Sequence, residues 1–355
     1  MDLSLIIPVY NSGEFLGRLF DNLAAQPIFA ESRGEVIFVN DGSTDDSEQQ
    51  ILRFAESHPC VRYIACEHRG IQFTRNEGIR AAKGDYIAFM DSDDLMAIGS
   101  LDYMVSVARQ HNAEVVRARY EQVYDKDFEN YINNPESLKA EPPIINHIYT
   151  GNEHIKATSG LVHNVNMWNA VYNKQFILDN NLFLDECISN NEDCYFNWKM
   201  IPIVKKLVIL KNNYYMWLQR NGSLCHPNTN HNRLIVSLSS LLLSSLYREL
   251  GDKYIKLGII TKDIHYFLVF QSRHNLYAFL GATVKYRGLT REQINPMIKR
   301  IKEAGIYPYP HAFPEMPPGY PTSLPYRLMW RLMSYEWILR IMLRLRCSKE
   351  KIIDV

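Results

Sequence analysis

Gly84-Asp85-Tyr86-Ile87-Ala88-Phe89-Met90-Asp91-Ser92-Asp93-Asp94 decides how the rest of the chain is read. Tyr86 to Met90 run without a polar interruption, as in a strand covered on both faces of a largely parallel sheet. Asp91, Asp93 and Asp94 follow at the strand's end and repel one another unless a cation or hydrogen bonds compensate. Asp91 and Asp93 stand two apart, so an extended backbone puts them on one face.

Working outward, Leu3–Pro8, Glu35–Asn40, Val61–Cys66, Asp85–Met90 and Glu114–Arg119 read as strands. Glu14–Ala25, Asp45–Ser57, Gln72–Ala82 and Ser100–Gln110 read as helices between them. Ser43-Thr44-Asp45 offers N-capping side chains, and Lys83-Gly84 a C-terminal stop. This rhythm specifies an α/β domain with right-handed crossovers. Polar turns follow three of the strands: Pro8-Val9-Tyr10-Asn11, Asp41-Gly42-Ser43 and the acidic run. In an open parallel sheet, those carboxyl ends line the ligand crevice. A lone Asp-Gly-Ser is ordinarily a capping turn; beside a carboxylate cluster on another strand end it becomes a candidate ligand contact. The cluster suits Mg²⁺ or Mn²⁺, which take oxygen ligands and share substrate phosphates.

Composition narrows the function classes. The 355 residues are 46% hydrophobic and 22% charged, as in soluble globular proteins. Lys plus Arg equals Asp plus Glu, 39 each, so no global field favours nucleic acid. Six cysteines lack CxxC spacing, which points away from zinc and redox motifs and toward reduced thiols. Without a signal-peptide start or an uninterrupted apolar run of about 20 residues, a cytoplasmic protein is expected.

Four signatures, taken together, resemble the family 2 glycosyltransferases. They are Ile6-Ile7-Pro8-Val9-Tyr10-Asn11, Val39-Asn40-Asp41-Gly42-Ser43-Thr44-Asp45, Arg75-Asn76-Glu77-Gly78-Ile79 and the stretch quoted first. They occur in order over roughly residues 3–110. The resemblance implies a GT-A fold: a mostly parallel sheet flanked by helices, here with a C-terminal helical extension. It implies nucleotide-sugar contacts at Pro8, Val9, Tyr10, Asn11, Asp41, Arg75, Asp91 and Ser92. Pro8 and Asp41 would lie at the nucleobase, and Asp91 by the ribose and diphosphate. Asp93, with Asp94 as a second candidate, would hold Mn²⁺ or Mg²⁺. A surface ion pair is the competing reading of Arg75.

Downstream, Asn190-Asn191-Glu192-Asp193-Cys194 resembles the family's Glu-Asp pair, which implies Asp193 as catalytic base and Glu192 as an acceptor contact. An acceptor hydroxyl that displaces a nucleoside diphosphate with inversion must lose its proton, and a carboxylate within about 3 Å can take it. The competing reading is that the pair places negative charge at a helix N-terminus. Trp168 is a candidate to stack on an acceptor sugar or to fill the core. Arg220 is a candidate diphosphate contact, and His226 a metal ligand or a loop histidine.

The remaining segments set the domain plan. Residues 121–147 read as irregular, Met167–Tyr172 as a strand and Lys174–Asn180 as a helix. A further helix starts near Asn191, and Lys206–Leu210 and Tyr214–Trp217 read as two more strands. Leu234, Ile235, Leu238, Leu241, Leu242 and Leu246 then fall at helical spacing. The expected domains are a catalytic one over 1–227 (donor half 1–120, acceptor and base half 121–227), a helical region over 228–306, and a Pro-rich linker with a basic amphipathic tail over 307–355. In that tail Arg327 and Arg331 share one stripe, and Arg340 and Arg344 another. Two short helices broken near Ser334 are therefore expected rather than one. Trp330, Tyr335 and Trp337 suit a membrane interface, so peripheral contact through 324–346, on the inner face of the membrane, competes with packing against protein.

The function expected is inverting transfer of a sugar from a nucleotide-diphosphate donor, a UDP-sugar, to a hydroxyl of a glycan or lipid-linked acceptor in cell-surface polysaccharide synthesis. A nicotinamide oxidoreductase is disfavoured because GxGxxG is missing after the first strand. A metal-dependent nucleotidyl- or phosphotransferase and a non-catalytic nucleotide-sugar-binding protein are the alternatives.

Overall fold

A computed structural model describes residues 1–124, 131, 134–160, 166–219, 229–311 and 323–353. Strands β1 (Leu3–Val9) and β2 (Gly34–Asp41) are buried at every position, which is why their middles, Leu5–Ile7 and Val36–Val39, are continuously apolar rather than alternating. With β3 (Val61–Cys66) and β4 (Tyr86–Phe89) they form the parallel run β3-β2-β1-β4. The sheet then turns mixed. β4 pairs antiparallel with β8 (Ala170–Asn173), and β8 antiparallel with β6 (Val115–Tyr124). β6 runs parallel to β9 (Leu207–Gln219), which also pairs antiparallel with β5 (Leu95–Met96) and β7 (Ile145–Tyr149). The expected parallel arrangement therefore describes one half of a sheet that has nine strands among the described residues.

Helices α1 (Gly13–Ala24), α2 (Pro27–Ala30), α3 (Ser47–Ser57), α4 (Ile71–Ala81) and α5 (Ser100–His111) connect these strands. α4 packs on β1 and β2. Gly78 allows this approach: a Cβ there would stand 2.3 Å from Ile6 Cγ2. At the opposite ends of the strands, Ser4 Oγ donates to buried Glu35 (2.6 Å) and accepts from Gly84 N (2.8 Å).

Two differences from the sequence reading have a common cause. The strands read as Lys206–Leu210 and Tyr214–Trp217 are one, β9, which continues through Lys211-Asn212-Asn213. The register of β6 against β9 shifts around Arg119, beside that polar stretch. β7 lies in the stretch read as irregular; among the described residues it pairs only with β9 and is mostly exposed, so it carries no apolar pattern.

The chain divides into two compact units, residues 1–154, 164–187 and 192–220, and residues 155–163, 188–191 and 221–355. In the second, helices Asn230–Lys256 and Lys262–Tyr286 pack along each other. The serines of the first helix are satisfied locally: Ser237 and Ser244 donate to the carbonyls of Leu234 and Leu241 at 2.7 and 2.6 Å. That helix is long and apolar enough to cross a membrane, yet half of its most apolar window is buried inside the protein. Leu234, Phe279, Met297, Trp330 and Leu339 share one core cluster. The tail forms two helices, Leu324–Ser334 and Glu336–Leu345, with the break at Tyr335. Trp330, expected at a membrane interface, is instead fully buried against Tyr277 and Tyr309.

The strand pairing yields a stability test. A Cβ at Gly84 would lie 2.4 Å from the backbone carbon of Leu3, and backbone yields little. Gly84→Ala is expected to lower unfolding free energy by about 1–3 kcal/mol, measured by urea denaturation; an unchanged midpoint would contradict the packing.

Candidate active site

The turns at the carboxyl ends of β1 and β2 are stitched together before any ligand is considered. Pro8 and Val9 close β1, and Asn11 takes a left-handed conformation (φ 48°). Its amide donates to Ser43 Oγ (2.9 Å) and its side-chain oxygen accepts from Thr44 N (2.8 Å). Asp41, the last residue of β2, is buried and accepts from the amides of Arg69 (2.8 Å) and Gly70 (2.9 Å). His68 Nδ1 lies 2.9 Å from the same carboxylate, and its ring stacks on the exposed ring of Tyr10 at 4.3 Å. Asp41 thus fixes the turn that enters α4, and that turn positions the Tyr10–His68 pair.

The acidic run leaves β4 in four different environments. Asp91 Oδ1 accepts from Arg75 Nη2 (2.8 Å), and its amide donates to Tyr215 Oη (3.1 Å). Ser92 Oγ lies 2.7 Å from Ser12 Oγ, which ties the run to the turn after β1. Asp93 is partly exposed, and its carbonyl accepts from Arg18 (3.2 Å). Asp94 corrects an expectation. It is buried, Oδ2 accepts from Tyr215 Oη (2.6 Å) and Oδ1 from Leu218 N (2.8 Å), so both oxygens serve β9 rather than a metal. Burial, followed by the charges of Asp93 and Asp91, pushes its carboxyl well above the ordinary range.

Arg75 joins this run to the downstream motif. Its side chain is only 3% exposed; Nη2 binds Asp91 and Nη1 binds Glu192 Oε1, each at 2.8 Å. The surface-pair reading of Arg75 is thereby replaced by a buried bridge, whose two carboxylates keep the guanidinium charged despite burial. Glu192 and Asp193 open the helix Glu192–Met200, where negative charge opposes the positive helix end. Asp193 Oδ1 accepts from Cys194 N (2.7 Å), and its carbonyl accepts from Asn197 Nδ2 (2.8 Å). Buried Arg117 on β6 donates to Asn197 Oδ1 (2.5 Å), which ties this helix to the sheet. Burial first, and the Glu192 charge next, push the Asp193 carboxyl up to about 7, with Arg75 partly opposing.

Trp168 lies inside the unit. It is 6% exposed, stacks on Tyr215 at 4.2 Å and meets Tyr120 edge-on at 5.0 Å. The core reading of this residue therefore describes it better than a sugar platform. Arg220 and His226 lie outside the described residues. Tyr215, His68 and Asn197 were not singled out from the sequence. Each lies in an ordinary strand, turn or helix, and only strand pairing or loop closure brings it to the site.

Among the described residues, no three His, Cys, Asp or Glu side chains converge on a metal position. Mg²⁺ and Mn²⁺ bound with a diphosphate require only one or two protein carboxylates. Partly exposed Asp91 and Asp93, on one turn, fit that smaller requirement.

Residues 4–176 match the model of the family described as glycosyl transferase family 2. Over that stretch, just under half of its length, the chain is similar to this family. The uncharacterised glycosyltransferase EpsJ of Bacillus subtilis is 28% identical over 224 residues, which span 62% of each protein. Among solved structures, residues 1–349 of S. aureus TarS in complex with UDP-GlcNAc match with a TM-score of 0.51 at 19% identity, covering 86% of this chain and 88% of that one. The mannosyltransferase PcManGT from Pyrobaculum calidifontis, in complex with GDP-Man and Mn²⁺, matches with a TM-score of 0.50 at 16% identity, covering 96% and 85%. These likenesses identify the sheet and its helices as a GT-A fold, and the likeness to the family supports a glycosyltransferase.

Asp193 makes the stability of this glycosyltransferase depend on pH. Its folded pKa of about 7 exceeds the ordinary 3.8. The folded state therefore holds a proton that the unfolded chain has lost, and the associated stability, complete below 3.8, is lost as pH rises through about 7. Asp193→Asn lacks this loss. The melting temperature of the variant relative to wild type is expected to rise by about 3 °C or more between about pH 5 and 8; a pH-independent difference would contradict the assignment.

Proposed function

We propose that this chain is an inverting glycosyltransferase that moves a sugar from a UDP-sugar to a hydroxyl of a glycan or lipid-linked acceptor in cell-surface polysaccharide synthesis. The observation that carries this reading is the Arg75 bridge, which holds the acidic turn after β4 and the start of helix Glu192–Met200 at one place. A donor-side turn and a carboxylate with a raised pKa are what displacement of a diphosphate by a hydroxyl requires. The sequence family and the nucleotide-sugar complexes of two fold neighbours support the donor class.

In this reading Tyr10, stacked on His68, and Asp41 shape the nucleobase end, with Pro8, Val9 and Asn11 forming its backbone. Asp91 and Ser92 lie toward the ribose and diphosphate. Asp93 and Asp91 would hold Mn²⁺ or Mg²⁺, which supplies charge neutralisation at the leaving diphosphate when bound. Glu192 lies on the acceptor side, its carboxylate oriented by Arg75.

The acceptor oxygen bonds to the anomeric carbon from the face opposite the diphosphate. The bond from that carbon to the diphosphate oxygen breaks, and its electron pair leaves with the nucleotide. The hydroxyl proton passes to Asp193. A carboxylate with a pKa near 7 is a stronger base than an ordinary one, yet is still partly ionised at neutral pH.

Two substitutions separate these roles. Asp193→Asn is expected to lower kcat by about 10²–10⁴-fold while leaving UDP affinity within a few-fold, measured by nucleotide release over a UDP-sugar panel and by calorimetry. Asp93→Ala is expected instead to weaken Mn²⁺-dependent UDP binding by about tenfold or more. Full activity of Asp193→Asn would overturn the base assignment, and Mn²⁺-dependent UDP binding unaltered in Asp93→Ala would overturn the cation site. Wild-type kcat is expected to rise with pH through about 7, as Asp193 ionises.

A further inference from the structure

The two tail helices bury one face each in the second unit's core and present a different kind of face outward. On Leu324–Ser334, Trp330 and Met333 are buried, while Leu324 (78% exposed) and Leu328 (55%) alternate with exposed Arg327 and Arg331. On Glu336–Leu345, Leu339 and Leu343 are buried, while Trp337 (64%), Ile341 (48%) and Leu345 (77%) flank exposed Arg344. Spacings of three and four residues put each exposed set on one side of its own helix. The packing of the opposite faces fixes these sides, so the exposed apolar groups are not core residues left uncovered by an unformed helix.

Charge decides what such a surface takes. Residues 323–353 hold seven Arg and Lys (Arg327, Arg331, Arg340, Arg344, Arg346, Lys349 and Lys351) against Glu336 and Glu350, in a chain whose net charge is zero. Glu336 is already paired with Lys302 and Arg340. A second copy docked symmetrically would bring one arginine set against another. An anionic lipid surface complements both properties, because headgroups attract the arginines while Trp337 and the aliphatic side chains enter the acyl boundary.

We propose that the outer faces of helices Leu324–Ser334 and Glu336–Leu345 dock this protein on an anionic membrane surface, peripherally and without spanning it. The proposal stands independently of the chemistry assigned to Asp193. Its test is co-sedimentation of the full chain with vesicles of phosphatidylcholine, alone or containing roughly one third phosphatidylglycerol. Partitioning is expected to be at least tenfold stronger on the anionic vesicles and to weaken with added salt. Trp337→Ser with Ile341→Ser is expected to reduce it about tenfold or more. Arg327→Gln with Arg331→Gln and Arg344→Gln is expected to abolish the preference for anionic lipid, since each arginine contributes about fivefold. Circular dichroism and elution volume check that both variants stay folded. Equal sedimentation of wild type and both variants would overturn the proposal. So would a failure of wild type to bind anionic vesicles, or a dimer that the apolar substitutions dissociate without changing sedimentation.

Discussion

The site depends on one buried cation. Arg75 rises from α4 between Asp91 at the end of β4 and Glu192 at the start of a helix more than a hundred residues later. Removing charge from water is costly, and the arrangement is favourable only while both carboxylates remain in contact. Loss of a single partner from a buried pair typically costs about 3–5 kcal/mol. The guanidinium therefore couples two segments far apart in the sequence. The fork of Arg serves this better than Lys, because its two terminal nitrogens bind two separate carboxylates.

The same economy appears around it. Asp94 is adjacent to the partly exposed Asp93, but it is an internal anchor bonded to Tyr215 and Leu218 on β9. Tyr215 in turn accepts from Asp91 N and stacks on Trp168. Rigid support beneath the turn lets the remaining carboxylates keep fixed positions despite mutual repulsion. Asp193 lies beside this network, where burial and Glu192 raise its basicity and Arg75 restrains the shift. A pKa near neutrality is thus a property of the cluster rather than of the motif.

The second unit follows different rules. Its helices are held by a shared apolar core and by serines that satisfy their own helix. Ser272 adds a bond to the carbonyl of Ser244 on the neighbouring helix (2.5 Å). Small hydroxyl residues let long helices approach without leaving polar groups unsatisfied. The arginine-bearing helices close that core with Trp330, Met333, Leu339 and Leu343 and leave Leu324, Leu328, Trp337, Ile341 and Leu345 to solvent.

The sequence by itself determined the parallel half of the sheet, the helices between its strands and the placement of Asp41 and the 91–94 run at strand ends. Continuous apolar runs and capping turns are local signals, and β1, β2 and β4 are buried on both faces, so nothing masked them. It also determined the break between the tail helices, because the two arginine stripes are out of phase. Tertiary structure decided what lacks a local signature: that β9 is one strand through Lys211-Asn212-Asn213, that β7 is an edge strand, and that Trp168 and Trp330 face inward. It decided too that Asp94 points at β9 and that Arg75 spans two motifs. Adjacent aspartates are chemically identical in a sequence; which is an anchor and which faces a ligand is set by the side chains that pairing and burial bring to each.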